Sequence, residues 1–376
     1  TYLYTAVTDL GAELHDAGLL DTSERLFTSL TDRRMYLTGG LGPSAANEGM
    51  TADFDLPNER AYAETCASIG LVFWAERLLE ARPDRRWGDE LERALYNNVL
   101  AGVSLDGRRF FYDNKLESHG GHERFEWHSC PCCPPNLARL LASLGAYVYG
   151  ANDRELAVHL YASGSASLTL DGQAVRLEQE TAYPWEGTVN LQVGASGPAR
   201  FALLLRLPGW CREPNVKLNG SPVALDGSNV RNGYAVLERE WRDGDRVTLE
   251  LPMPLERVYA HPNVAQDAGL VALQRGPLVY CLESVDNPAL DDLAIEPEGG
   301  SVEFDPDLLG GVGVLNVPAR RDEAGAWGGA LYRFSPPPAA PATVRAVPYS
   351  VWANRGDSQM RVWLRRAAVP AGGKEG

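Results

Sequence analysis

Cysteine is scarce in this 376-residue chain: there are six, and three of them fall within Cys130-Pro131-Cys132-Cys133-Pro134-Pro135-Asn136. Adjacent cysteines and a Cys-x-Cys make poor disulfide partners. With so few thiols, a reducing compartment, the cytoplasm, is the expected location. Positive charge is also in short supply. The formal net charge of −15 argues against nucleic acid or an anionic membrane as partner. No apolar run is long enough to span a bilayer, and no signal peptide is evident. The sequence opens at Thr1, without Met, in what reads as a helix, so the true N-terminus is expected upstream. No convincing internal repeat is found. Nine Trp and 15 Tyr suit a sugar-binding protein, and they suit many other large enzymes equally.

What is present is a concentrated set of metal donors. The cysteine cluster is matched upstream by Glu64-Thr65-Cys66, and thiolates with one carboxylate make a good zinc set. Pro134 disfavours the α conformation at Cys133, so the cysteine pair is expected in an extended turn. Pro135 suits the first turn of a following helix carrying Leu137, Leu141 and Leu144. Its N-terminal partial charge would stabilise thiolates. Glu64 and Cys66, two apart, point to opposite sides of a regular helix and can share an ion only where the chain is irregular or just entering the helix. Whether such a metal braces the fold or takes part in chemistry stays open at this level. His119, His122 and His128 flank the motif in a polar stretch that reads as exposed loop. Cys211 and Cys281 sit in strand-like surroundings and read as buried apolar residues.

Residues 1 to about 148 read as helical. Leu3, Val7, Leu10 and Leu14 keep helical spacing, and Asp21 with Glu24 resembles a capping box ahead of Leu26 and Leu30. A third helix carries Ile69, Phe73 and Leu79 and should stop near Pro83. A fourth carries Leu91, Leu95 and Val99, and a fifth follows Pro135. The loop from Thr38 to Asn58 is long enough to suggest function. After Asn152 the pattern turns to short strands: Leu156, Val158 and Leu160, then Phe201, Leu203 and Leu205 alternate. Asn219-Gly220 and Asp243-Gly244 are hairpin signals. A further strand-like unit starts at Leu270, and residues 284–345 resist assignment.

Several longer stretches carry a family resemblance. Tyr36-Leu37-Thr38-Gly39-Gly40, Asp55-Leu56-Pro57-Asn58, Ala61 to Ser68, Cys132 to Asn136, Leu273 to Tyr280 and Trp352-Ala353-Asn354-Arg355 together resemble the β-L-arabinofuranosidases of glycoside hydrolase family 127. The resemblance implies a multidomain α and β protein in which part of an (α/α)6 barrel is followed by two β-sandwiches. The expected divisions are 1–148 for the C-terminal part of the barrel, 149–260 and 261–368 for the sandwiches, and 369–376 for a disordered tail. Family members carry a long helical segment before the point where this sequence starts, so a fragment lacking the first half of the barrel is expected. The helices left would form an open arc with an apolar inner face, prone to association, and a homodimer is the expected assembly.

The resemblance also implies zinc held by Glu64, Cys66, Cys132 and Cys133, with Cys132 as nucleophile and Glu48 as acid/base. Glu92 and Tyr112 fall where the family lines its sugar pocket with substrate-binding residues. From the residues alone, Glu48 could be a solvated loop residue and Glu92 a helix-surface charge. Around Glu48 the chain departs from the family pattern, with Asn47 before it and Met50 two after it. The expected activity is zinc-dependent retaining release of L-arabinose from β-L-arabinofuranosides by a cysteine nucleophile, with the chain by itself inactive if truncated. The alternatives are a glycosidase for another furanoside or deoxy sugar, and a zinc-containing, carbohydrate-binding remnant without turnover.

Overall fold

The computed structural model describes residues 1–46 and 48–367; the tail expected at 369–376 lies outside them, as does Asn47. The chain divides into two compact units. One comprises Thr1–Asp32, Cys66–Tyr96 and Pro134–Pro254, and the other Arg33–Thr65, Asn97–Cys133 and Leu255–Gly376.

Five α-helices occur among the described residues: α1 (Tyr2–Glu13), α2 (Ala17–Arg34), α3 (Thr65–Ala81), α4 (Arg85–Ala94) and α5 (Cys133–Ser143). The Leu3, Leu10 and Leu14 stripe of α1 is exposed. The helix instead buries Thr8 and Gly11. The Thr8 hydroxyl meets the Ser23 hydroxyl at 2.6 Å, and Trp74 Nε1 donates to Ser23 at 2.7 Å. Small polar residues thus let α1 approach α2 closely, with Tyr4, Phe27, Trp74 and Trp87 filling the space in tilted and edge-on pairs. The start of α2 differs from expectation. Its first amides, Gly18 and Leu19, are capped by the Asp16 carboxylate. Asp21 and Glu24 lie inside the helix and pair with Arg82. In α5 the buried leucines are Leu137 and Leu140, and Leu141 faces out.

The strands of the first unit form a five-stranded and a six-stranded sheet. Inward residues of both, from Leu156 and Val158 to Val175, Leu177, Val189, Leu191, Leu203, Leu205, Val247 and Leu249, form one apolar cluster. Gln173–Thr181 and Thr188–Ala195 alternate buried and open positions as a half-covered sheet requires. Ala199–Arg206 is buried along both faces, with Ala202 and Leu204 packed beside Ala157 and Tyr234. Asn219-Gly220 makes the expected hairpin turn with both φ angles positive, as do Asp171-Gly172 and Asn232-Gly233. Asp243-Gly244 does not close a hairpin. Tyr234–Trp241 before it pairs with Ala199–Arg206, whereas Arg246–Glu250 after it pairs with Thr188–Ala195 in the other sheet.

The second unit is built on one ten-stranded sheet. It includes Leu255–Val258, which pairs with Leu270–Arg275. The stretch 284–345 contains the long pair Val312–Asp322 and Ala339–Pro348. Prolines at 318 and 341 obscure that pair in the sequence, because they remove ladder donors without ending the strands. The segments 33–65 and 97–133 pack on this sheet. Tyr36, Leu56, Ala61, Ala63, Phe111 and Leu116 share one core with Val279, Val347, Tyr349, Trp352 and Val362. The loop after Thr38 is therefore held in place from below.

Candidate active site

The site starts from a backbone irregularity. Ala63 adopts φ +36°, in the left-handed region where alanine is rarely found. Helix α3 begins two residues later, at Thr65. Glu64 consequently leaves the chain just ahead of the helix and Cys66 from its first turn, which removes the geometric objection to their sharing an ion. Thr65 anchors the junction: its amide donates to Tyr112 O at 3.0 Å and its hydroxyl to Phe111 O at 2.9 Å. Gly40 is required beside it, since a methyl group there would stand 2.8 Å from Ala63 Cβ and 2.9 Å from Asn98 Oδ1.

Opposite this junction, Cys133 is the first residue of α5 rather than an extended residue. Pro134 and Pro135 then occupy first-turn positions, where the missing N–H groups cost no helical bond. Cys132 Sγ stands 3.6 Å from Cys133 Sγ and 3.6 Å from Glu64 Oε1. The donor atoms of Glu64, Cys66, Cys132 and Cys133 all lie within 4.8 Å of one another. Four donors at these separations fit a tetrahedral ion: with metal–sulfur bonds of about 2.3 Å, two sulfurs on zinc are roughly 3.8 Å apart. Cys66 and Cys133 are buried, while Glu64 and Cys132 are partly open, so one sulfur is accessible. Cys130 is exposed and outside the cluster.

Glu48 sits on the loop in a left-handed conformation, φ +49°. Its Oε1 accepts from Tyr62 Oη at 2.9 Å and, more weakly, from Tyr112 Oη at 3.5 Å. Tyr112 also contacts Cys132 and Tyr62. Burial raises the pKa of both phenols far above the ordinary tyrosine range. The bond to Glu48 adds to this at Tyr62, and the contacts with Tyr62 and Cys132 at Tyr112. Both stay protonated, so one phenol reaches from the exposed carboxylate to the accessible sulfur.

The flanking histidines do not join the cluster. His122 is stacked on Phe111 and lies near Trp352, and His128 bonds Phe110 O. Glu92, expected at the sugar pocket, belongs to the first unit and is 1% exposed. Its oxygens accept from Tyr183 Oη at 2.6 Å, from Arg206 and from Trp210 Nε1 at 3.1 Å, which leaves no open face for a sugar. Tyr62, Asn98 and Asn114 were not singled out from the sequence. The one signal for Tyr62 is position, since it lies in the quoted Ala61–Ser68 motif, whereas Asn98 and Asn114 lie outside every quoted stretch.

Comparison with known proteins agrees with this site. Three models of one family match consecutive stretches: the β-L-arabinofuranosidase GH127 catalytic domain at residues 4–146, the GH127 middle domain at 155–253 and the family 127 C-terminal domain at 255–365. The chain belongs to glycoside hydrolase family 127. Among family 127 relatives, the non-reducing end β-L-arabinofuranosidase of Bifidobacterium longum subsp. longum is 38% identical over 392 residues, covering 97% of this chain and 58% of its own. The crystal structure of a GH127 β-L-arabinofuranosidase from Geobacillus stearothermophilus T6 superposes with TM-score 0.95 at 47% identity, over 97% of this chain and 60% of that one. A GH127 β-arabinofuranosidase structure superposes with TM-score 0.91 at 34% identity, over 97% of this chain and 59% of that one. The family 127 chain described here thus spans under two thirds of the length of these relatives.

Proposed function

We propose that the protein is a zinc-dependent retaining glycosidase that releases L-arabinose from β-L-arabinofuranosides, with Cys132 as nucleophile and Glu48 as acid/base. The observation that carries this reading is the Tyr112 hydroxyl, which touches both Glu48 and Cys132. A partly exposed sulfur and an exposed carboxylate both meet one phenol, which keeps a nucleophile and an acid/base close enough to serve one glycosidic bond. The similarity to proteins named as β-L-arabinofuranosidases supports the sugar. Matched catalytic, middle and C-terminal regions support reading 1–148 as part of an (α/α)6 barrel and 149–260 and 261–368 as sandwiches.

Glu64, Cys66, Cys132 and Cys133 would hold the zinc, which when bound keeps its thiols ionised at neutral pH. In the first step the Cys132 sulfur attacks the anomeric carbon. The S–C bond forms as the glycosidic C–O bond breaks, and Glu48 donates its proton to the departing oxygen. Glu48, now a carboxylate, takes a proton from water, whose oxygen attacks the anomeric carbon from the face the leaving group vacated, opposite the sulfur, and returns the thiolate. Tyr62 orients Glu48 by donating to Oε1, which turns the other oxygen towards the leaving group. Tyr112 lines the sugar in this reading, while Glu92 acts on the frame through Arg206.

Replacing Glu48 by glutamine removes proton transfer without touching the metal donors. In the full gene product, turnover of alkyl arabinofuranosides is expected to fall about 10²–10⁴-fold. A nitrophenyl arabinofuranoside, whose leaving group needs little protonation, should lose much less in the first step, and zinc content should stay unchanged. Equal losses on both substrates would remove Glu48 from the acid role.

A further inference from the structure

The Ala63 carbonyl is gripped by two side chains that nothing so far assigns a role. Asn98 Nδ2 donates to it at 3.1 Å and Asn114 Nδ2 at 3.0 Å. Both amides are 0% exposed. Asn114 Nδ2 also reaches Thr65 Oγ1 at 2.9 Å, so it ties together the residues on either side of Glu64. Asn98 is fixed in turn. Its own amide donates to Thr38 O at 3.1 Å, and it lies in a π-helical turn, Leu95–Val99, a rare element found mostly at functional sites. The preceding residue of that turn, Asn97, donates to Pro277 O at 3.0 Å and accepts from Val279 N at 2.8 Å. The Gly276-Pro277-Leu278-Val279 stretch, quoted above for its family likeness, thereby anchors the turn that carries Asn98.

An alanine held at φ +36° costs conformational energy that its surroundings must offset. Two charge-neutral amide donors converging on one carbonyl supply that offset. Gly40, whose missing side chain makes room for Asn98 and Ala63, stands beside them. If the carbonyl were released, the backbone could relax towards ordinary angles, and Glu64 and Cys66 would return to opposite sides of the helix.

We propose that Asn98 and Asn114 are positioning residues for the metal centre, fixing the Ala63 carbonyl so that Glu64 and Cys66 aim at one ion. This rests on the reading of the four-donor cluster as a zinc site. The test measures zinc affinity of the purified chain by competition with a chromophoric chelator, independently of turnover. Asn98→Ala and Asn114→Ala are each expected to weaken zinc binding about 10–100-fold, the usual effect of losing an outer-shell support. Asn114→Asp keeps the shape but turns an acceptor on the carbonyl, and should weaken it at least as much with packing unchanged.

The control is Asn287→Ala, in the same unit, where a buried amide donates to Glu283 O at 3.1 Å and Arg345 O at 2.8 Å. It should lose stability and keep zinc affinity within about two-fold. Folded Asn114→Asp with wild-type affinity, or Asn287→Ala losing affinity equally, would overturn the positioning role. Wild-type protein that takes up no zinc would overturn the metal reading itself, and with it this inference.

Discussion

Cys132→Ser is expected to abolish turnover of every arabinofuranoside, whether its leaving group is activated or not. A serine hydroxyl is neither ionised near neutral pH nor polarisable enough to displace a sugar. The loss should therefore exceed the roughly 10²–10⁴-fold that removing acid/base help costs. A better leaving group should rescue nothing, in contrast to Glu48→Gln, because every substrate needs the first S–C bond. The substitution also removes a metal donor, so zinc content has to be followed in the same preparation. Near-normal rates with zinc retained would make the cluster structural and place the nucleophile elsewhere.

The second large effect concerns stability. Arg206 is 0% exposed. Its guanidinium donates to His159 O at 2.6 Å, to Asp89 Oδ1 at 2.6 Å and to Glu92. Burial opposes the charge, but Glu92 and Asp89 outweigh it and hold the guanidinium protonated well above the ordinary arginine range. Gly88 admits the side chain, since a methyl group there would meet Arg206 Cδ at 2.6 Å. Arg206→Met would leave the buried Glu92 and the half-buried Asp89 without their cation and is expected to cost about 3–5 kcal/mol in urea denaturation. A loss below about 1 kcal/mol would mean that the carboxylates are neutral or reach water.

These two expectations differ in how far the sequence reveals them. The metal donors are legible because residue type carries the chemistry: three thiols and an acid in two short motifs leave few readings. The presence of α3, α4 and α5 is legible from periodicity and nearby prolines, but Leu95 and Val99 fall in the π turn after α4, Leu141 faces out of α5 and Leu144 lies beyond its end. How Glu64 and Cys66 come to face one point is not legible. It depends on an alanine in a left-handed conformation, a state with no compositional signature, held by amides 35 and 51 residues away. Glu92 illustrates the same limit. Its place on a helix is plain, but Arg206, 114 residues on, decides that its carboxylate is buried in a frame and closed to sugar. The Asp243-Gly244 turn misled for a related reason. Local pattern describes which face could be buried and where the chain could reverse, whereas partner elements decide which face is buried and which sheet receives the next strand.

X-ray absorption at the zinc edge on the purified chain tests the central claim most directly. The account predicts one zinc per chain with a shell of three sulfurs at about 2.3 Å and one light atom at about 2.0–2.2 Å. Carefully reduced protein without zinc, or zinc bound in a shell of nitrogen and oxygen with no sulfur, would contradict it.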